Sequence, residues 1–144
     1  RATALQMAMV AASIGNSGRT MNPYLVQEIR GPDLSILQTT EPTQFEDALK
    51  PSNSLSLTEM LVNVVENGTG SNAQIAGVRV AGKTGTAQTG NDSPSIAWFI
   101  SFAPAAAPKV AVAVVIEESG LAEVSGNGLA APIAKEVMKA VLGS

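Results

Sequence analysis

Lys109-Val110-Ala111-Val112-Ala113-Val114-Val115-Ile116 is the segment that most restricts how this chain can fold. A strand sends successive side chains to opposite faces. Val110, Val112, Val114 and Ile116 fall on one face, and Ala111 and Ala113 on the other. Both faces are apolar, so the strand needs cover on both sides, with a helix coming close over the alanines. Two further strand signals precede it, at residues 77–84 and 97–102. Pro104 to Pro108 is short enough to join the second and third strands as an antiparallel hairpin.

Helical signals surround these strands. Residues 4–14 are rich in Ala, Leu and Met, with Thr3 as a cap and Gly15-Asn16 as a stop. This helix is apolar nearly all round, which predicts burial. Ser56-Leu57-Thr58-Glu59 has the spacing of a capping box. Leu57, Met60, Leu61, Val64 and Val65 then form one stripe on a helix ending near Asn67-Gly68. Asn67-Gly68-Thr69 fits a glycosylation sequon, but a helix end is the better reading. Pro132 suits a first helical turn, and Ile133, Val137, Met138, Val141 and Leu142 give the last helix its stripe before Gly143. Residues 24–30 read as a strand, Gly31-Pro32-Asp33 as a turn, residues 34–39 as its hairpin partner, and residues 40–54 as loop. The order predicts an α+β fold with an antiparallel three-strand sheet flanked by helices.

Composition excludes several chemistries. The 144 residues contain no Cys and no His, so neither a Cys/His metal site nor a Ser-His or Cys-His catalytic pair can be built. Net charge is −3 with no Lys/Arg cluster, which argues against nucleic acid. The hydrophobic fraction is 45% and the charged fraction 15%, as in one globular domain. Aromatics make up only 3%, so Val, Ile, Leu, Met and Ala must build the core. No apolar run reaches the roughly 18 residues of a membrane span. The chain opens on Arg1 and runs almost at once into a helical pattern, which suggests a piece of a longer protein.

Gly77-Val78-Arg79-Val80-Ala81-Gly82-Lys83-Thr84 matches the phosphate-binding pattern G-x-x-x-x-G-K-[ST]. A phosphate loop needs flexible residues between its glycines and a helix starting at Lys-Thr. Here Val-Arg-Val-Ala favours extended backbone, and turn residues follow Thr84. A nucleotide binder is therefore the weak reading. In another register the same letters give Lys83-Thr84-Gly85-Thr86, and Lys-Thr-Gly is one of the motifs of penicillin-recognising enzymes.

The surroundings make that motif specific. Val80-Ala81-Gly82-Lys83-Thr84-Gly85-Thr86-Ala87-Gln88 is followed by Ala97-Trp98-Phe99 and Phe102-Ala103-Pro104. Ala4-Leu5-Gln6-Met7-Ala8, Glu66-Asn67-Gly68-Thr69-Gly70 and Gly126-Asn127-Gly128-Leu129-Ala130-Ala131-Pro132-Ile133-Ala134 complete the set. In order and spacing the chain resembles the C-terminal portion of the transpeptidase domain of class B penicillin-binding proteins. It is most similar to the actinobacterial penicillin-binding protein A group. The resemblance implies that residues 1–144 belong to a penicillin-binding/β-lactamase-like fold. It also implies a serine D,D-transpeptidase of peptidoglycan synthesis, active in cell shape and division. Such a protein would act outside the cytoplasm, anchored to the membrane by an N-terminal segment not in this chain. Its partners would be peptidoglycan stem peptides, β-lactam antibiotics and the N-terminal remainder of its own domain, with no cofactor.

By position, the resemblance makes Lys83 and Thr86 catalytic, with Thr84, Gly85 and Thr86 binding substrate. Lys83 would supply positive charge beside the nucleophile and attract the terminal carboxylate. The Thr84 and Thr86 hydroxyls would bind that carboxylate. The Thr86 N–H would serve as an oxyanion donor, a role worth about 3 kcal/mol in other acyl-transfer sites. Gly85 would let the substrate backbone approach. Alternation sends Lys83 and Thr84 to opposite faces, so both can serve one site only on an edge or twisted strand. The family's S-x-x-K is absent, because no Ser has a Lys three residues on. The one S-x-N, Ser125-Gly126-Asn127, lies after Lys83 and reads as a loop into the last helix. The chain alone is therefore expected to be inactive. A non-catalytic sensor on the same fold is the alternative, and S-x-x-K upstream would separate the two.

The remaining chemistry-bearing residues have plainer readings. Trp98 suits packing, Met7, Met9, Met60 and Met138 suit core filling, and Glu117 and Glu118 suit solvated loop positions. Arg79 suits a surface ion pair.

Overall fold

The computed structural model describes residues 2–88, 95–120 and 124–143. Helix α1 (Ala4–Gly15) starts on a capping box. The Gln6 N–H donates to Thr3 Oγ1 at 3.1 Å, and the Thr3 N–H donates to Gln6 Oε1 at 2.9 Å. Strands β1 (Arg19–Met21), β2 (Glu28–Arg30), β3 (Ile36–Thr39) and β4 (Gln44–Asp47) follow, paired as β1–β4 and β2–β3. Helix α2 (Pro51–Asn67) leads through a 3-10 turn (Ser71–Ala73) to β5 (Ala81–Ala87), β6 (Ile96–Ala103) and β7 (Val110–Ile116). A π-helical turn (Gly126–Ala130) runs into α3 (Ala131–Leu142).

The antiparallel sheet has the order β5-β6-β7, and β7 is covered on both faces. On one face Ala111 packs with Phe102, Ala11 of α1 and Val62 of α2. On the other, Val112 packs with Phe99, Ala103 and Met138, beneath α3. The alternation of large and small residues in β7 thus chose the two partners: a close helix over the alanines and a second helix over the valines.

Several expectations need correction. α1 is not buried all round: Ala11 and Ser13 are buried, whereas Leu5 is 58% exposed, because the sheet covers one side of it. Ser56 does not open a helix. α2 begins at Pro51, where proline is pre-set for a first turn, and Ser56 Oγ donates to the Ser52 carbonyl at 3.1 Å inside it. The inward face of α2 is Ser54, Thr58, Val62 and Val65, while Met60 is 63% exposed and fills no core. In α3 the buried residues are Ala131, Ala134 and Met138, and Ile133, Val137 and Val141 are exposed. Small side chains let this helix sit close to Phe99 and Val112, so its alanine face took the contact.

The segment expected as loop at 40–54 holds β4 and the first turn of α2. The strand expected over 24–30 is limited to Glu28–Arg30 by the length of its partner β3. Before it, Thr40 bonds the Gln27 and Val26 carbonyls without extending the ladder. β5 starts at Ala81, not at residue 77. Gly77, at φ +75°, closes a tight turn between Ile75 and Val78 first.

Candidate active site on the open edge of β5

Among the described residues β5 pairs with β6 alone and is an outer strand of its sheet. The edge position required for Lys83 and Thr84 to meet is therefore present. Lys83 stands opposite Ile100, Thr84 opposite Phe99, Gly85 opposite Trp98 and Thr86 opposite Ala97. Thr84 and Thr86 share one face and Lys83 leaves the other. The lysine bends around the open edge. Its ammonium donates to the Thr84 carbonyl at 2.9 Å and to Thr84 Oγ1 at 3.4 Å. Lys83 makes no ion pair among the described residues, so its charge is uncommitted. Lys83 and Thr86 are exposed, and Thr84 and Gly85 are half-buried.

Glycines at three points let backbone come close. A Cβ on Gly82 would lie 2.6 Å from the Phe99 ring, which fills the space beneath the strand. A Cβ on Gly126 would lie 2.2 Å from the Trp98 carbonyl and 3.1 Å from the Gly85 nitrogen. The turn before α3 thus lies directly on the Gly85–Trp98 pair. It is tied in place by Asn127. The Asn72 N–H donates to Asn127 Oδ1, and Asn72 Nδ2 donates to the Asn127 carbonyl, both at 3.0 Å. Ser125 Oγ accepts from the Gly128 N–H at 3.0 Å and caps this turn. Ser125-Gly126-Asn127 accordingly belongs to the scaffold of the turn into the last helix.

The third glycine, Gly70, is packed against Phe99 and Val64. It fixes the turn after α2, and there Thr69 meets the site: Thr69 Oγ1 lies 3.0 Å from Thr84 Oγ1. Thr69 and Asn127 are the two site residues that sequence reasoning did not assign. Both lie in segments that carry the family resemblance, but their partners are distant in the chain, so local sequence assigned them no role.

The remaining candidates fall away from the site. Arg79 pairs with Glu59 at 3.1 Å and Glu66 at 3.3 Å on α2. The hydrogen bond it donates to Glu59, then that to Glu66, holds its guanidinium pKa above the ordinary value. Glu117 and Glu118 are exposed beyond β7. Trp98 is half-buried and lies outside the two buried clusters. Lys83-Thr84 sits inside a seven-residue strand, so the phosphate-loop reading fails: no helix starts there and the backbone is extended. The site offers an ammonium and two threonine hydroxyls along an open strand edge. These are donors for a carboxylate on an extended chain.

Comparison with known proteins gives the same direction. The family described as "Penicillin binding protein transpeptidase domain" matches residues 1–139. The "Peptidoglycan D,D-transpeptidase PbpA" of Mycolicibacterium smegmatis is 46% identical over 97% of this chain. The Mycobacterium tuberculosis protein of the same name is 45% identical over the same share. The chain spans 29% of the length of each. Among solved structures, PBPA from M. tuberculosis superposes with a TM-score of 0.88 at 46% identity, covering 97% of this chain and 34% of that one. Its imipenem acyl-enzyme complex gives 0.86 at 45% identity, covering 98% and 31%. The chain belongs to the penicillin-binding protein transpeptidase family, and within it resembles the mycobacterial PbpA proteins.

Proposed function

We propose that residues 1–144 are the C-terminal portion of a transpeptidase domain and supply one wall of its acylation site. The parent protein would act on peptidoglycan as a serine D,D-transpeptidase. A serine upstream attacks the D-Ala-D-Ala carbonyl, the C–N bond breaks, and the leaving amine takes up the serine's proton. An amine of a second stem peptide then attacks the acyl carbonyl, the serine ester C–O bond breaks, and the amine's proton returns to the serine oxygen as the cross-link forms. β-Lactams open on the same serine, and the relatives solved as imipenem and penicillin G acyl-enzymes carry that chemistry in their descriptions.

The observation that carries this reading is the Lys83 ammonium lying on the Thr84 carbonyl and hydroxyl at an unpaired strand edge. In this role Lys83 and the Thr84 and Thr86 hydroxyls hold the substrate carboxylate. Strand backbones turn successive residues' N–H and C=O groups to opposite edges. A Thr84 carbonyl reached by Lys83 from the open side puts the Thr86 N–H on that side too, where an oxyanion donor is needed. The stem peptide would lie along β5 as an added strand.

Two features support a larger domain around this chain. β7 has no strand on its outer edge among the described residues, and its seven residues carry no charge and no proline. An apolar edge of this kind calls for a partner strand. Trp98 and Val115 also share the Lys83 face of the sheet and lie outside the cluster that α1 and α2 cover. Upstream strands and the serine-bearing segment would occupy these places. No helix among the described residues is long and apolar enough to cross a membrane, and we place the parent outside the cytoplasm, held by an upstream anchor. The test is labelling with fluorescent penicillin. The parent protein should be labelled and residues 1–144 alone should not; labelling of the isolated chain would overturn the assignment.

A further inference from the structure

We propose that Thr69 is a positioning residue for carboxylate recognition: its hydroxyl orients the Thr84 hydroxyl so that the Thr84 proton points to an anion on the β5 edge. The inference rests on the proposed function and deepens it. Among the described residues Thr84 Oγ1 has two hydrogen-bond neighbours, Thr69 Oγ1 at 3.0 Å and Lys83 Nζ at 3.4 Å. An ammonium can only donate, and a hydroxyl has one proton and two lone pairs. The Lys83 contact therefore uses one Thr84 lone pair. The Thr69–Thr84 bond can run either way. When an anion is present it claims the Thr84 proton, and the bond must then run from Thr69 to Thr84. Thr84 accepts twice and donates once, fully satisfied, and each accepted bond strengthens the bond it donates.

Thr69 is well held for this task. Gly68 ends α2, and the Gly70 N–H bonds the Val64 carbonyl at 2.9 Å. Gly70 itself is packed against Phe99, which lies opposite Thr84 in the sheet. The two hydroxyls are thus fixed to one rigid contact, and the branched Thr side chain limits rotation about χ1. Thr69 acts through Thr84 and does not touch substrate.

The test compares Thr69→Val, which keeps the shape and loses the hydroxyl, with Thr69→Ser, which keeps the hydroxyl. In the full-length parent protein, acylation rates are measured with benzylpenicillin and with its methyl ester, which lacks the carboxylate. Thr69→Val should slow benzylpenicillin up to about tenfold, the upper size of one hydrogen bond between neutral groups, and change the ester rate less than about twofold. Thr69→Ser should recover most of the loss. An equal loss on both substrates, or no loss with Thr69→Val, overturns the role. If the wild-type protein is acylated by neither, the proposed function fails and Thr69 with it; a wild type that reacts normally leaves the variants to decide Thr69 alone.

Discussion

Lys83 and Thr84 leave β5 on opposite faces, and the free edge of the strand is what lets the ammonium reach its neighbour's oxygens. The spacing of the two residues and the need for an edge were legible in the sequence, because alternation along a strand is a local rule. The Thr69 hydroxyl was not, since it arrives from a turn fifteen positions earlier and only the packing of Gly70 on Phe99 brings it in. Gly126 was quoted for its resemblance, yet its physical reason lies in contact with Trp98 and Gly85. Gly126→Ala should lower stability by about 1–3 kcal/mol, the usual cost of forcing extra volume into a packed contact. It should slow acylation as well by shifting Gly85 and Thr86. Thermal melting and penicillin labelling measure the two effects, and an alanine variant with unchanged melting and labelling would contradict the close approach.

The helices separate signals that local sequence carries well from those it carries poorly. Thr3 caps α1 as its sequence indicates, with both reciprocal bonds formed. Thr3→Ala should cost about 0.5–2 kcal/mol in urea unfolding. Ser56-Leu57-Thr58-Glu59 fits the same capping-box pattern as Thr3-Ala4-Leu5-Gln6 and caps nothing, because Pro51 starts the helix earlier. Ser56→Ala should therefore be neutral or slightly stabilising, as alanine is the better helix former. A loss the size of a missing cap would contradict the structure. The hydrophobic stripes of α2 and α3 misled in one respect. Large aliphatic residues mark an amphipathic helix, but Ser54, Thr58, Ala131 and Ala134 were the residues small enough to meet the sheet closely. At the core itself, Phe99 lies fully buried between Gly82, Gly70 and α3. Phe99→Ala should cost about 3–5 kcal/mol, and a melting temperature near that of the wild type would argue against this packing.

At the scale of the molecule, the three-strand sheet with helices on both faces followed from the two-sided apolar pattern of β7 and the proline-bounded hairpin before it. The small strand pairs β1–β4 and β2–β3 were only partly legible, because three- and four-residue strands are set by their partners more than by their own letters. Among the described residues β7 lacks an outer neighbour. In the isolated chain its amides facing that edge should exchange quickly with deuterium, and in the parent protein they should be protected; equal exchange in both would contradict a sheet completed from upstream. The central claim is that the β5 edge forms one wall of a serine acylation site, and the acylation rate of the full-length parent protein by fluorescent penicillin tests it most directly. The wild-type protein should become labelled on a serine outside residues 1–144, and Lys83→Met, folded by its melting curve, should react at least about a hundredfold more slowly. A Lys83→Met protein that is acylated at the wild-type rate would contradict the account.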